Sequence, residues 1–133
     1  NEAIYANVRQ LAELGVAGIN IEDSTIQSNK RTLQNANQFA ETIAFIKGKL
    51  ANDHLHLFIN VRCDTYLLNV ANKQAETLVR IPLYEAAGAD GIFLPCISAE
   101  ADIAETVNST TLPINVMCIP GLPVHDFLSL PFL

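Results

Sequence analysis

Apolar and polar positions alternate along this chain in two periods. Ile4, Val8, Leu11 and Ala12 stand at helical spacing, and Gly15 follows them as a C-cap. Val16 to Ile21 then forms a short apolar run, the pattern of a buried strand, ending in Glu22-Asp23. Residues 24–34 are polar and predict a loop. Phe39, Ile43, Ile46 and Leu50 give a second amphipathic helix, which Asn52-Asp53 break. Leu55 to Val61 predicts a second strand, running into Arg62-Cys63-Asp64. A third helix is expected from about Asn72 to Ala87, closed by Gly88. Pro82 should kink it, because proline has no N–H for the preceding turn. Gly91 to Leu94 reads as a third strand ending at Pro95-Cys96, and Ala99 to Val107 as a fourth helix. Pro113 to Met117 reads as a fourth strand, followed by Cys118 and a Pro120-Gly121 loop.

Helix followed by strand, four times over, predicts a parallel sheet with crossover helices. Two internal echoes support this. Gly15-Val-Ala-Gly18-Ile19 and Gly88-Ala-Asp-Gly91-Ile92 share G-x-x-G-I at helix-to-strand turns. Ile19-Asn20-Ile21, Ile59-Asn60-Val61 and Ile114-Asn115-Val116 share I-N-[I/V] in three strands. Side chains alternate across a strand, so Asn20 and Glu22 share a face, as do Asn60, Arg62 and Asp64. One face is then apolar for helices and the other polar. A barrel wall has that character, whereas a doubly wound sheet is apolar on both faces. The expected fold is α/β, a (β/α)₈ TIM-type barrel whose complete form takes ~250 residues. Four βα units make half of one, with residues 1–133 forming part of a single barrel domain without a linker.

Composition narrows the partners. Half of the 133 residues are apolar and mean hydropathy is +0.23, enough for a packed core. No apolar run approaches the ~18 residues of a membrane helix. The net charge is −6, and none of the eight cations lies in a run longer than Lys30-Arg31, which argues against nucleic acid. Small molecules, metal cations or protein chains remain. Three cysteines do not make a disulfide framework and suit a reducing, cytoplasmic setting. The chain begins at Asn1, has no basic signal-type start and ends in Leu-Pro-Phe-Leu, so it reads as a piece of a longer polypeptide.

The chemistry-bearing residues fall at strand ends, where barrel enzymes keep their sites. Paired carboxylates at Glu22 and Asp23 suit Mg²⁺, which prefers hard oxygen ligands; a solvated loop start or a helix cap is the alternative. Arg62 in a barrel mouth either holds an anion with its planar fork or pairs with Asp64 or Glu22. Cys63, Cys96 and Cys118 each follow a strand, but without C-x-x-C spacing they read as small hydrophobes rather than zinc ligands. His54 and His56 precede a strand and read as surface residues; His125 is uninformative. Asn108-Ser109-Thr110 matches a glycosylation sequon by chance.

Four segments taken together resemble a known family. They are Gly15-Val-Ala-Gly-Ile-Asn-Ile-Glu22-Asp23, Ile59-Asn-Val-Arg62-Cys-Asp64, Ala86-Ala-Gly-Ala-Asp-Gly-Ile-Phe-Leu-Pro95 and Leu112-Pro-Ile-Asn115-Val-Met117. In this order they resemble the isocitrate lyase / phosphoenolpyruvate mutase superfamily, especially its small phosphonomutase-like members. The resemblance implies a barrel with Mg²⁺ (or Mn²⁺) at its mouth, and a C–C or P–C bond made or broken next to a 2-oxo acid through an enolate. It implies Arg62 on the substrate carboxylate or enolate, Asp64 orienting it, and Glu22 near the metal, with the main Asp ligands outside this chain. Asn20, Asn60, Cys96 and Asn115 would line the substrate pocket. The substrate would be a small 2-oxo acid or phosphonate, with no nucleic-acid or membrane partner, in a cytoplasmic homo-oligomer. The Lys-Arg/Lys-Cys-Gly-His loop of the true lyases is replaced by Ser24-Thr-Ile-Gln-Ser-Asn-Lys-Arg-Thr-Leu33, so isocitrate cleavage is not expected. Lys30 or Arg31 of that stretch would touch substrate from a mobile loop, or else sit in a solvated loop, the commoner fate of such residues. A catalytically silent barrel, binding a ligand or serving as a subunit, is the rival reading; a piece that pairs with a second copy is a third.

Overall fold

The computed structural model describes residues 1–117. Cys118, the Pro120-Gly121 loop and His125 lie outside the described residues. Helices α1 (Glu2–Glu13), α2 (Ala36–Asn52), α3 (Lys73–Ala86) and α4 (Glu100–Asn108) alternate with strands β1 (Gly18–Glu22), β4 (Phe58–Arg62), β5 (Gly91–Leu94) and β6 (Ile114–Val116). These strands form one parallel sheet in the order β1-β4-β5-β6. Each new strand joins the same edge, which is how a barrel wall grows.

Between β1 and α2 the structure corrects the expected loop. Residues 24–33 form an antiparallel hairpin of β2 (Ser24–Gln27) and β3 (Lys30–Leu33). Ser28 and Asn29 at its tip have φ of 49° and 61°, the left-handed pair that a two-residue hairpin turn needs. Strands this short pair only with each other, so they left no apolar alternation to read.

The helices bury their expected stripes against one face of the sheet. In α2 these are Phe39, Ile43, Ile46 and Leu50, and Asn35 caps the helix by accepting from the Gln38 N–H at 3.2 Å. Helix α1 buries Tyr5 and Val8 but leaves Ile4 and Leu11 exposed. Helix α3 continues through Pro82, whose ring lies on the exposed side. Ile59, Val61, Ile92 and Leu94 meet Ile43, Ile46, Ile81 and Tyr84 in the core.

The G-x-x-G-I echo has two physical causes. Gly15 and Gly88 end helices at φ of +80° and +92°, where a Cβ is strained. Gly18 and Gly91 flank Phe58 on the other face of the sheet. A Cβ at Gly18 would stand 2.9 Å from the Cβ of Phe58, and one at Gly91 would stand 2.9 Å from Oδ1 of Asn60.

Candidate active site

The strands run parallel, so their C-terminal ends meet along one rim. Glu22 and Arg62, the last residues of β1 and β4, are register partners there. Asp64 lies two residues past β4, fully buried. It accepts from Nε of Arg62 at 2.6 Å, from Nη2 at 3.1 Å, and from the Ser24 hydroxyl at 2.5 Å. This two-point grip fixes the plane of the guanidinium. Nη1 of Arg62 reaches Oε2 of Glu22 at 3.2 Å. The Asp64 hydrogen bond holds the Arg62 guanidinium above its ordinary pKa.

The hairpin adds a second guanidinium. Nη1 of Arg31 donates to Oε1 of Glu22 at 2.6 Å and to Oγ of Ser24 at 2.7 Å, and lies 3.8 Å from Asp64. Glu22 is thus bridged by two arginines, one at each oxygen. Arg62 and Arg31 balance Glu22 and Asp64 in charge.

Asp23 departs from the expected carboxylate pair. It turns away from Glu22 into the layer between sheet and helices and is fully buried. Its Oδ2 accepts from Nη1 of Arg80 at 3.1 Å and from the Tyr84 hydroxyl at 2.8 Å, and its Oδ1 from the Asp64 N–H at 2.8 Å. Nη2 of Arg80 donates to the Gln34 carbonyl, where the hairpin ends. Burial would lower the Arg80 pKa, but Tyr84, Asp23 and Glu76 raise it on balance. This network joins the ends of β1 and β4 and the root of the hairpin to α3. Arg80 and Tyr84 went unread in the sequence, although Thr77, Arg80, Ile81 and Tyr84 share one buried face of α3. An arginine on such a face needs a buried acceptor.

Below the rim, the I-N-[I/V] repeat is a side-chain ladder. Nδ2 of Asn60 donates to Oδ1 of Asn20 at 2.7 Å, and Nδ2 of Asn115 donates to Oδ1 of Asn60 at 3.2 Å. The three asparagines line a cleft of about 350 Å³ with Phe93, Val116 and Met117. Cys96 sits two residues past β5, exposed, with φ of 69°. It takes no part in the arginine–carboxylate cluster. Cys63 is buried beside Thr65, and burial pushes its thiol far up, so it is a core residue. His54 and His56 are exposed, away from the rim.

At the rim, the described residues offer one accessible carboxylate for Mg²⁺, Glu22. Both of its oxygens face arginines, Asp64 is saturated and Asp23 is turned away. Among the described residues no three His, Cys, Asp or Glu side chains gather as a metal site. This donor set fits contact through metal-bound water better than direct ligation.

Fold and rim together define a class: a parallel βα wall that holds paired guanidiniums at the C-terminal edge of its strands. Residues 1–130 match the phosphoenolpyruvate phosphomutase family, and the chain belongs to it. It is 35% identical over 116 residues to the uncharacterized protein Rv1998c of Mycobacterium tuberculosis (strain ATCC 25618 / H37Rv), a match covering 87% of this chain and 42% of that protein. A candidate phosphonomutase from Burkholderia cenocepacia J2315 has a similar structure, with TM-score 0.76 and 30% identity over 92% of this chain and 48% of that one. A phosphonopyruvate hydrolase in complex with oxalate and Mg²⁺ has TM-score 0.77 at 23% identity, covering 98% of this chain and 46% of that one. The chain therefore spans about half the length of the relatives it matches, and forms half of a TIM-type barrel of this superfamily. No helix among the described residues is long and apolar enough to cross a membrane.

Proposed function

We propose that this chain supplies half of the active-site rim of a Mg²⁺-dependent lyase or mutase. The enzyme makes or breaks a C–C or P–C bond next to a 2-oxo acid, through an enolate. The observation that carries this reading is Arg62, gripped in two places by Asp64 at the C-terminal rim of a sheet of this family. The Mg²⁺ and oxalate bound by the phosphonopyruvate hydrolase support it, since oxalate is shaped like the enolate of a 2-oxo acid.

Nε and one N–H of Nη2 of Arg62 are committed to Asp64. Nη1 also faces Oε2 of Glu22, so the second N–H of Nη2 and the N–H of Nη1 turned from Glu22 are its donors for a substrate carboxylate or enolate oxygen. A guanidinium already held in place needs no reorganisation as negative charge develops on that oxygen. Asp64 acts here as a positioning residue, and Ser24 holds its second oxygen. Asn20, Asn60 and Asn115 present amide groups along the pocket wall, and Cys96, two residues past β5, is the further side chain assigned to the substrate. Glu22 is the residue that would hold Mg²⁺ through water. When bound, that ion would supply Lewis-acid stabilisation of the enolate.

The test is turnover by the full-length protein with Mg²⁺ on phosphonopyruvate, oxaloacetate and 2-methylisocitrate, followed by NMR. Product is expected from one of the first two. Arg62→Ala should cut turnover by about a thousandfold or more while leaving the folded circular dichroism spectrum at room temperature in place, with a lower melt because buried Asp64 loses its partner. Undiminished turnover in that variant would sink the role of Arg62. No product from any substrate, with protein folded, would favour the silent barrel.

A further inference from the structure

The Glu22 carboxylate lies between two guanidiniums, Arg31 on one oxygen and Arg62 on the other. Two arginines offer the same arrangement to an anionic ligand. The two arginines differ in what else holds them. Arg62 is clamped by buried Asp64. Arg31 rests on half-exposed Glu22 and on a serine hydroxyl, reaches Asp64 only at 3.8 Å without a hydrogen bond, and has 31% of its own side chain exposed. Ion pairs of that kind contribute little and exchange readily. The backbone beneath Arg31 is well anchored. Gln34 donates its backbone N–H to the Asp23 carbonyl at 2.9 Å and its side-chain amide to the Ser24 carbonyl at 3.3 Å. Arg80 holds the Gln34 carbonyl from the helix side. Arg31 therefore has a fixed base and a head free to change partners.

We propose that Arg31 is a specificity-determining residue that trades Glu22 for the second anionic group of a doubly charged 2-oxo acid. Arg62 keeps the carboxylate next to the oxo group. Arg31 swings from Oε1 of Glu22 to the far carboxylate or phosphonate, which frees Oε1 while Arg62 keeps Oε2; that freed oxygen is the one that would hold Mg²⁺ through water. Lys30, its neighbour on β3, is exposed and makes no side-chain hydrogen bond or salt bridge among the described residues. The inference rests on the reading of Arg62 given above.

The experiment is stopped-flow binding of oxaloacetate and 2-oxobutyrate to the full-length protein with Mg²⁺ present, read before the first turnover. These differ in one terminal carboxylate against a methyl group. Wild type should bind oxaloacetate about tenfold or more tighter, as expected for one charge-assisted contact. Arg31→Ala should erase that preference with little change for 2-oxobutyrate, and Arg31→Lys should restore part of it. Arg62→Ala should weaken both ligands. If Arg31→Ala weakens both equally or neither, while Arg62→Ala weakens both, the role of Arg31 is overturned and that of Arg62 stands. If wild type binds neither ligand, both fall. Unchanged thermal melts for the Arg31 variants separate these outcomes from misfolding, and Arg31→Gln replaces the alanine variant if that melt drops.

Discussion

Arg31 and Arg80 are both paired with carboxylates, yet their surroundings give the pairs opposite weights. The Asp23–Arg80 side chains are 0% and 6% exposed, so neither charge has water to fall back on. Breaking such a pair leaves a bare buried charge, which costs about 3–5 kcal/mol. Arg80→Met should therefore lower the urea-unfolding free energy by roughly that amount; a loss under about 1 kcal/mol would show that Asp23 finds another partner. The half-exposed Arg31–Glu22 pair should cost at most about 1 kcal/mol by the same measurement. Tyr5, Tyr66 and Tyr84 are the three tyrosines, and burial, then aspartate neighbours, pushes each phenol upward, Tyr5 to about 12. Their neutral forms are favoured in the fold. This stability is fully present below the unfolded value of about 10 and is lost as pH rises through the higher folded values. Phenolate absorbance should therefore emerge together with alkaline unfolding, and a separate earlier step would contradict these environments.

At the scale of elements, the β2–β3 hairpin is the part that changes the site. It delivers Ser24 and Arg31 to a rim that the parallel strands alone would leave with Arg62, Asp64 and Glu22. Its turn depends on left-handed backbone at Ser28 and Asn29. A β-branched residue resists that conformation by about 1–2 kcal/mol. Asn29→Val should weaken amide-exchange protection across Ser24–Leu33 and leave that of α2 and α3 unchanged. Equal protection in the variant would mean that the hairpin is held by its root alone. The helices and the parallel strands were legible because a stripe at 3.6 residues and an apolar run of strand length each mark an element. The hairpin was not, because two strands of four residues carry no such signal. Its trace was the polar Ser28-Asn29 pair between the β-branched Thr25-Ile26 and Thr32.

As a whole molecule, the wall is open on both sides. Among the described residues β1 and β6 each pair along one edge only, and Phe58 and Met117 are 45% and 38% exposed. Unpaired edges and uncovered apolar side chains seek partners. The 133-residue polypeptide expressed alone should therefore self-associate in light scattering, and a folded monomer would contradict this. The order of the helices and parallel strands, and the placing of Glu22, Arg62 and the asparagines on one face, could be read along the chain. Those follow from periodicity and from strand alternation, which are properties of neighbouring residues. Which carboxylate faces the rim and which is buried was set by packing in three dimensions. Asp23 meets Arg80 across 57 residues and Ser24 meets Asp64 across 40. The first is set by how the sheet packs on α3 and the second by the pairing of β1 with β4 beside the hairpin, and no local pattern encodes contacts between segments so far apart along the chain.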